Sequence, residues 1–260
     1  MAIELTIADQ LAHLHLNRPK ALNALSFEIL GQLNTALEKI EEGIEAGQVR
    51  GVFVTGEGEK SFCAGADITE LMGRTLMQEH EGARFGQSVF DRLAALRVPS
   101  VAVIHGYAFG GGLELALSCT FRVATAGAKM GLPELKLGLI PGYGGTQRLP
   151  RLIGQDRAMD MILSARTVDA IEAERIGLVT RVVDSKDPAA VGREFLKPYL
   201  KHGLIALDMA KQAILRGMQT TLAEGLRIER DCSTLAFRSG DATEGMSAFL
   251  EKRPPVFKDQ

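Results

Sequence analysis

The chain has 260 residues, 46% of them hydrophobic and 24% charged, with a formal net charge of −2; that is the composition of a globular protein with one large core and no general pull toward nucleic acid or an anionic membrane. Its three cysteines, Cys63, Cys119 and Cys232, form no CxxC pair, and its five histidines form no HExxH, so no disulfide framework, no metal and a reducing, cytoplasmic setting are expected. No basic-then-apolar start follows Met1, and no apolar run reaches the roughly 18 residues of a membrane span.

In chain order, residues 3–16 alternate (Ile3, Leu5, Ile7, then Leu14, Leu16) around Asp9-Gln10 and predict a two-stranded hairpin. His13 and His15, two apart, share one strand face and read as solvated. Ser26 is placed to cap a helix whose apolar set is Phe27, Ile29, Leu30, Leu33, Leu37, Ile40 and Ile44, stopped by Gly47. Val49 to Thr55 reads as a buried strand. An amphipathic helix over 76–97 ends before Pro99, and a strand follows at Val101–Ile104. A glycine-rich loop with a short helix spans 110–118, and Phe121 to Ala124 is a further strand. One more strand is expected at Leu178 to Val183, and from 187 the pattern is helical. Strands alternating with helices predict an α/β core. A boundary near 195 separates a core (1–195) from a helical region (196–260).

Three segments concentrate chemistry: Ser61-Phe-Cys-Ala-Gly-Ala-Asp-Ile68, His105-Gly-Tyr-Ala-Phe-Gly-Gly-Gly-Leu-Glu-Leu-Ala116, and Gly131 through Arg148. Gly110-Gly111-Gly112 precede a helix, whose first turn offers unpaired N–H groups and partial positive charge to an oxyanion. Glu114 falls in that first turn, where it serves the helix dipole as readily as it serves catalysis. Glu134 follows Pro133 and alone reads as an ordinary acid at a helix start. Two carboxylates in one apolar pocket would have unequal proton affinities, suiting one as acid and the other as base; spacing cannot show that they meet. Ala64-Gly65-Ala66 can expose N–H groups, Asp67 reads as a helix cap, and Cys63, with no histidine in its motif, reads as a buried filler.

Taken together, these runs resemble the crotonase (enoyl-CoA hydratase/isomerase) superfamily. The likeness rests on Asn17-Arg-Pro-Lys-Ala-Leu-Asn-Ala-Leu25, the 61–68 run, Gly-Gly-Gly-Leu-Glu-Leu-Ala116, Pro-Glu134, Pro-Gly-Tyr-Gly-Gly-Thr-Gln-Arg148 and Phe249-Leu-Glu-Lys-Arg253, in family order along essentially the whole chain. The resemblance implies an α/β spiral of ββα units (ClpP-like) with a C-terminal helical trimerisation region. It implies an acyl-CoA thioester substrate, no separate cofactor, and a homo-oligomer, either a trimer or a dimer of trimers. By position, Ala66 and Gly111 would donate the two amides to the thioester oxygen. Glu114 would activate water at Cβ, and Glu134 would hold that water and protonate Cα. Lys20, Ala21, Leu22, Ala64, Asp67 and Ile68 would line the coenzyme site, and Phe249 and Lys252 would reach a neighbour's coenzyme.

The same fold hosts other chemistry. A delta-isomerase needs only one well-placed carboxylate, so glutamates at both 114 and 134 favour hydration; hydrolase, decarboxylase and dehalogenase members usually differ at these positions. An RNA-binding role is disfavoured by the acidic face of the helix after Ser26, with Glu28, Glu38, Glu41, Glu42 and Glu45 around Lys39. Tyr143 is a candidate acyl-chain contact. Tyr107 and Phe109 read as packing residues, as do Met72, Met77, Met159 and Met161.

Overall fold

The computed structural model describes residues 1–259. The hairpin forms as expected: β1 (Ile3–Ala8) and β2 (Leu11–Leu16) pair antiparallel, turning at Asp9 and Gln10, both of which adopt positive φ. Ser26 caps α1 (Phe27–Glu45), its hydroxyl accepting from the Ile29 N–H. The expected apolar stripe of that helix is buried from Ile29 to Ile44, with Phe27 packed at the edge of the core.

Three consecutive passes then repeat one pattern, each sending a strand to each of two sheets. The first is β3 (Gly51–Gly56) and β4 (Ser61–Cys63), followed by α2 (Ile68–Leu71) and α3 (Leu76–Ala95). The second is β5 (Ser100–Ile104), β6 (Tyr107–Phe109) and α4 (Gly111–Ser118). The third is β7 (Phe121–Thr125) and β8 (Lys129–Gly131), followed by a 3-10 turn at Glu134–Leu137, α5 (Gly145–Ile153) and α6 (Gln155–Leu163). After β9 (Thr167–Asp169), α7 (Ala170–Arg175) and β10 (Arg181–Val183), the larger sheet is complete in the order β1-β2-β3-β5-β7-β10 and the smaller in the order β4-β6-β8-β9. This is the ββα spiral, and its strands from β3 to β8 pair in parallel.

Helix α8 (Pro188–Leu196) closes the outer face of the larger sheet, where Phe195 and Leu196 pack on Phe53, Val101 and Val123. Then come α9 (Leu204–Gly217), α10 (Leu222–Phe237) and α11 (Gly240–Glu251). These last helices leave large apolar side chains exposed, among them Ile214, Met218, Leu222, Phe237, Phe249 and Leu250. No helix among the described residues is long and apolar enough to cross a membrane.

Several sequence expectations change. The short strands β4, β6, β8 and β9 carry only three residues each, too few for alternation to show. Leu178 precedes the last strand: its N–H bonds the Ala173 carbonyl and closes the end of α7. The face carrying His13 and His15 is half-buried, because parallel pairing sets these residues beside Phe53 and Thr55 of β3. Their rings share the Thr55 hydroxyl at 2.7 and 2.8 Å, His13 stacks on Phe53, and burial pushes the His13 pKa down to about 4. Of the four methionines read as core, only Met161 is buried; Met72, Met77 and Met159 are exposed. Tyr107 and Phe109 do stack on each other, with ring centroids 5.1 Å apart.

Candidate active site

The second pass builds the centre of the site. β6 is followed by Gly110, whose positive φ of 51° glycine adopts freely, and the chain turns there directly into α4. Gly112 lets that helix sit against the end of β4, since a Cβ there would fall 2.0 Å from the Cys63 carbonyl oxygen. α4 therefore begins hard against the loop that follows β4. At Gly111 a Cβ would stand 3.5 Å from the Ala66 nitrogen, so the two predicted donors lie side by side.

Both amides are free to serve a ligand. Ala66 forms a parallel bridge with Leu25 in which the flanking groups make the bonds: Leu25 N–H donates to the Gly65 carbonyl and Asp67 N–H to the Leu25 carbonyl. The Ala66 N–H is left pointing away from that bridge. The Gly111 N–H is one of the first-turn donors that a helix cannot satisfy internally.

The two glutamates converge on the same place. Glu114 is 1% exposed. Its Oε1 accepts from the Tyr143 N–H at 2.8 Å and the Gly145 N–H at 2.7 Å. Glu134, at the start of the 3-10 turn, lies over Gly110, where an added Cβ would stand 2.9 Å from its Oε1, and its Oε2 is buried without a partner. Burial pushes Glu114 up to about 7 and the Glu134 charge adds to that rise, while the two N–H donors and Arg148 oppose it. Glu134 is also raised, chiefly by burial. Glu114 carries the larger rise of the two, and its N–H pair offsets that rise only in part.

The remaining predicted residues form two groups. The 20–25 loop is laced to the 64–67 loop, with Ala64 N–H donating to the Leu22 carbonyl at 3.0 Å. Lys20 and Leu22 line an open groove of about 390 Å3 together with Pro19, Glu57, Gly58 and Lys60. Ala21 and Ala64 are half-buried and Ile68 is exposed at the start of α2. Asp67 caps α2 through the Thr69 N–H, and its bonds from the Thr69 hydroxyl at 2.7 Å and from Arg18 at 2.8 Å hold its carboxyl below the usual range. Phe249 and Lys252 stand apart from these loops on the C-terminal side of α11, both exposed. Cys63 is fully buried and its thiol is pushed up to about 12, as expected of a filler.

Four contributors escaped the sequence reading. The Tyr143 and Gly145 amides act through backbone alone, which no side-chain pattern announces. Gly86 of α3 seats the Tyr143 ring: a Cβ there would lie 2.4 Å from it. A glycine inside an otherwise regular helix is the signal that could have flagged this close approach. Arg148 bonds the Tyr143 carbonyl at 2.8 Å.

Residues 6–260 match the model of the family described as enoyl-CoA hydratase/isomerase. The chain belongs to that family. Among its relatives are a crotonyl-CoA hydratase of Syntrophomonas wolfei, 41% identical over 96% of this chain and 95% of that one, and a short-chain-enoyl-CoA hydratase of Clostridium acetobutylicum, 41% identical over 92% and 90%. The crystal structure of an enoyl-CoA hydratase from Bacillus anthracis superposes with a TM-score of 0.94 at 38% identity, covering both chains fully.

Proposed function

We propose that the protein is an enoyl-CoA hydratase, adding water to a trans-2-enoyl-CoA to give a 3-hydroxyacyl-CoA. The observation that carries this reading is the pairing of Glu114 and Glu134 beside two unengaged amides, at 66 and 111. Hydration of a conjugated thioester moves charge onto the carbonyl oxygen as water attacks Cβ. Amides already aimed at that oxygen favour the enolate-like state over the ground state, and losing one such donor typically costs about 3 kcal/mol in barrier. Glu114, in the anionic form that its two N–H donors favour, takes the proton from water. Glu134, whose buried oxygen lacks a partner, delivers a proton to Cα. The proton that Glu114 gains from water restores the one that Glu134 gives up, so the cycle consumes only the enoyl thioester and water, and coenzyme A enters as part of the substrate.

The groove beside Lys20 and Leu22, together with the adjoining loop at 64–68, is assigned to the coenzyme. Phe249 and Lys252, exposed on α11, are assigned to a neighbouring subunit's coenzyme. That assignment, like the apolar surface left open on α9 to α11, calls for a trimer or a dimer of trimers, and a monomer by light scattering at micromolar concentration would remove it. A cytoplasmic role in fatty-acid breakdown fits the same reading. The direct test is loss of the conjugated absorbance of crotonyl-CoA, followed by a panel of longer, branched and cyclic enoyl-CoA substrates. A 3-enoyl-CoA in the same panel reads isomerase activity, and turnover of that substrate alone would overturn the assignment as a hydratase.

A further inference from the structure

One face of α3 grips the loop that presents amides to Glu114. Gly86 seats the Tyr143 ring, Phe90 meets that ring edge-on at 5.6 Å, and Gln87 donates to the Gly142 carbonyl at 2.9 Å. Asp91, one turn beyond Gln87, pairs with the Arg148 guanidinium. That guanidinium also donates to the Tyr143 carbonyl and sits close against Gly144, where a Cβ would fall 2.2 Å from its nearer nitrogen. The two peptide groups flanking the Tyr143 Cα are thus both held, the carbonyl of one by Arg148 and the N–H of the other by Glu114.

Resting on the hydratase reading above, we propose that Arg148, braced by Asp91, is a positioning residue that keeps the 141–145 loop in register so that the Tyr143 and Gly145 amides stay on Glu114. An isolated surface ion pair adds little to stability, and the Asp91 side chain is largely exposed. Arg148 acts instead through the carbonyl it holds. Its charge adds to the effect, because the charged and titratable groups that face Glu114 are Glu134 from the 3-10 turn, Tyr143 from the loop itself and Arg148 from α5. Of these only Arg148 favours the anion.

The test is the pH dependence of kcat for crotonyl-CoA hydration in Arg148→Gln, Arg148→Lys and Asp91→Asn, with a carbon-13 titration of labelled glutamate in the substrate-free enzyme. Weakening the amide grip and removing the cation both disfavour the Glu114 anion, so the acidic limb for Arg148→Gln should move up by about 0.5–1 on the pH scale. KM should change less than about twofold, since no substrate contact is lost. Arg148→Lys should restore part of the wild-type profile by charge alone, and Asp91→Asn should give a smaller movement in the same direction. An acidic limb and a glutamate titration that superimpose on wild type in Arg148→Gln would overturn the proposal. If Arg148→Gln does not fold, Asp91→Asn decides by the same criterion. A wild-type enzyme that fails to hydrate crotonyl-CoA would sink the hydratase reading instead, and the carbon-13 titration would still decide the role of Arg148.

Discussion

Replacing Glu114 with glutamine should abolish turnover and stabilise the fold at once. The glutamine carbonyl oxygen can accept the same two N–H donors, from Tyr143 and Gly145, that Oε1 accepts now. Only the charge and the basicity disappear. Burial raises the Glu114 pKa from its ordinary 4.5 to about 7, and every tenfold gain in proton affinity corresponds to about 1.4 kcal/mol. A carboxyl whose folded pKa is raised contributes its full stability below the unfolded value, and that contribution is lost as pH rises through the folded one. Wild type should therefore lose stability between about pH 4.5 and 7, approaching a penalty of about 3 kcal/mol by pH 8. Glu114 is 1% exposed, so water does little to screen that penalty. The glutamine variant escapes it. For a chain of this size 1 kcal/mol moves Tm by about 2–4 °C, which gives a rise of several degrees at pH 8 and convergence with wild type near pH 4. Differential scanning calorimetry across pH at fixed protein concentration reads the effect, alongside crotonyl-CoA kinetics in which kcat falls by at least about a hundredfold. A variant that melts no higher than wild type at pH 8 would show that the charge at 114 costs the fold nothing, and one that retains its turnover would show that the base lies elsewhere.

The two raised carboxyls also shape the rate profile of the wild type. Below the lower apparent pKa of the pair both are protonated and no base remains; above the higher one both are ionised and no acid remains. A bell-shaped kcat profile with limbs belonging to the pair is expected, and a profile flat from about pH 5 to 9 would contradict it. Gly86→Ala should press a methyl group into the Tyr143 ring, which a Cβ would meet at 2.4 Å. A stability loss of about 1–3 kcal/mol is expected by urea titration, together with reduced turnover as the ring and its loop shift; full activity and an unchanged midpoint would show that the ring has room to yield. Cys63 and Cys119 are buried, with thiols pushed up to about 12, so maleimide should label neither in the folded enzyme and both after unfolding in guanidinium. Rapid native-state labelling of either would place it in a more open environment than the fold provides.

Much of this protein is written locally. The hairpin around Asp9-Gln10, the Ser26 cap and the apolar stripe of α1 are each set by neighbours within a few residues, and they form where the spacing places them. The motif order from Asn17 to Arg253 likewise placed the chain in its family. What the chain order could not contain is the meeting of distant parts. The three-residue strands β4, β6 and β8 exist because each pass of the spiral finds its neighbour in the second sheet, and so few residues carry no period of their own. That stacking brings the amide at 66 beside the one at 111 and puts Glu134 over Gly110. It also half-buries a histidine pair that alternation alone would leave in water. The two amides that hold Glu114 belong to backbone, are delivered by a loop gripped from α3, and carry no side-chain signature. Residue types specified which groups were available for catalysis, whereas burial and proximity, which set proton affinity, arose only when the passes packed together.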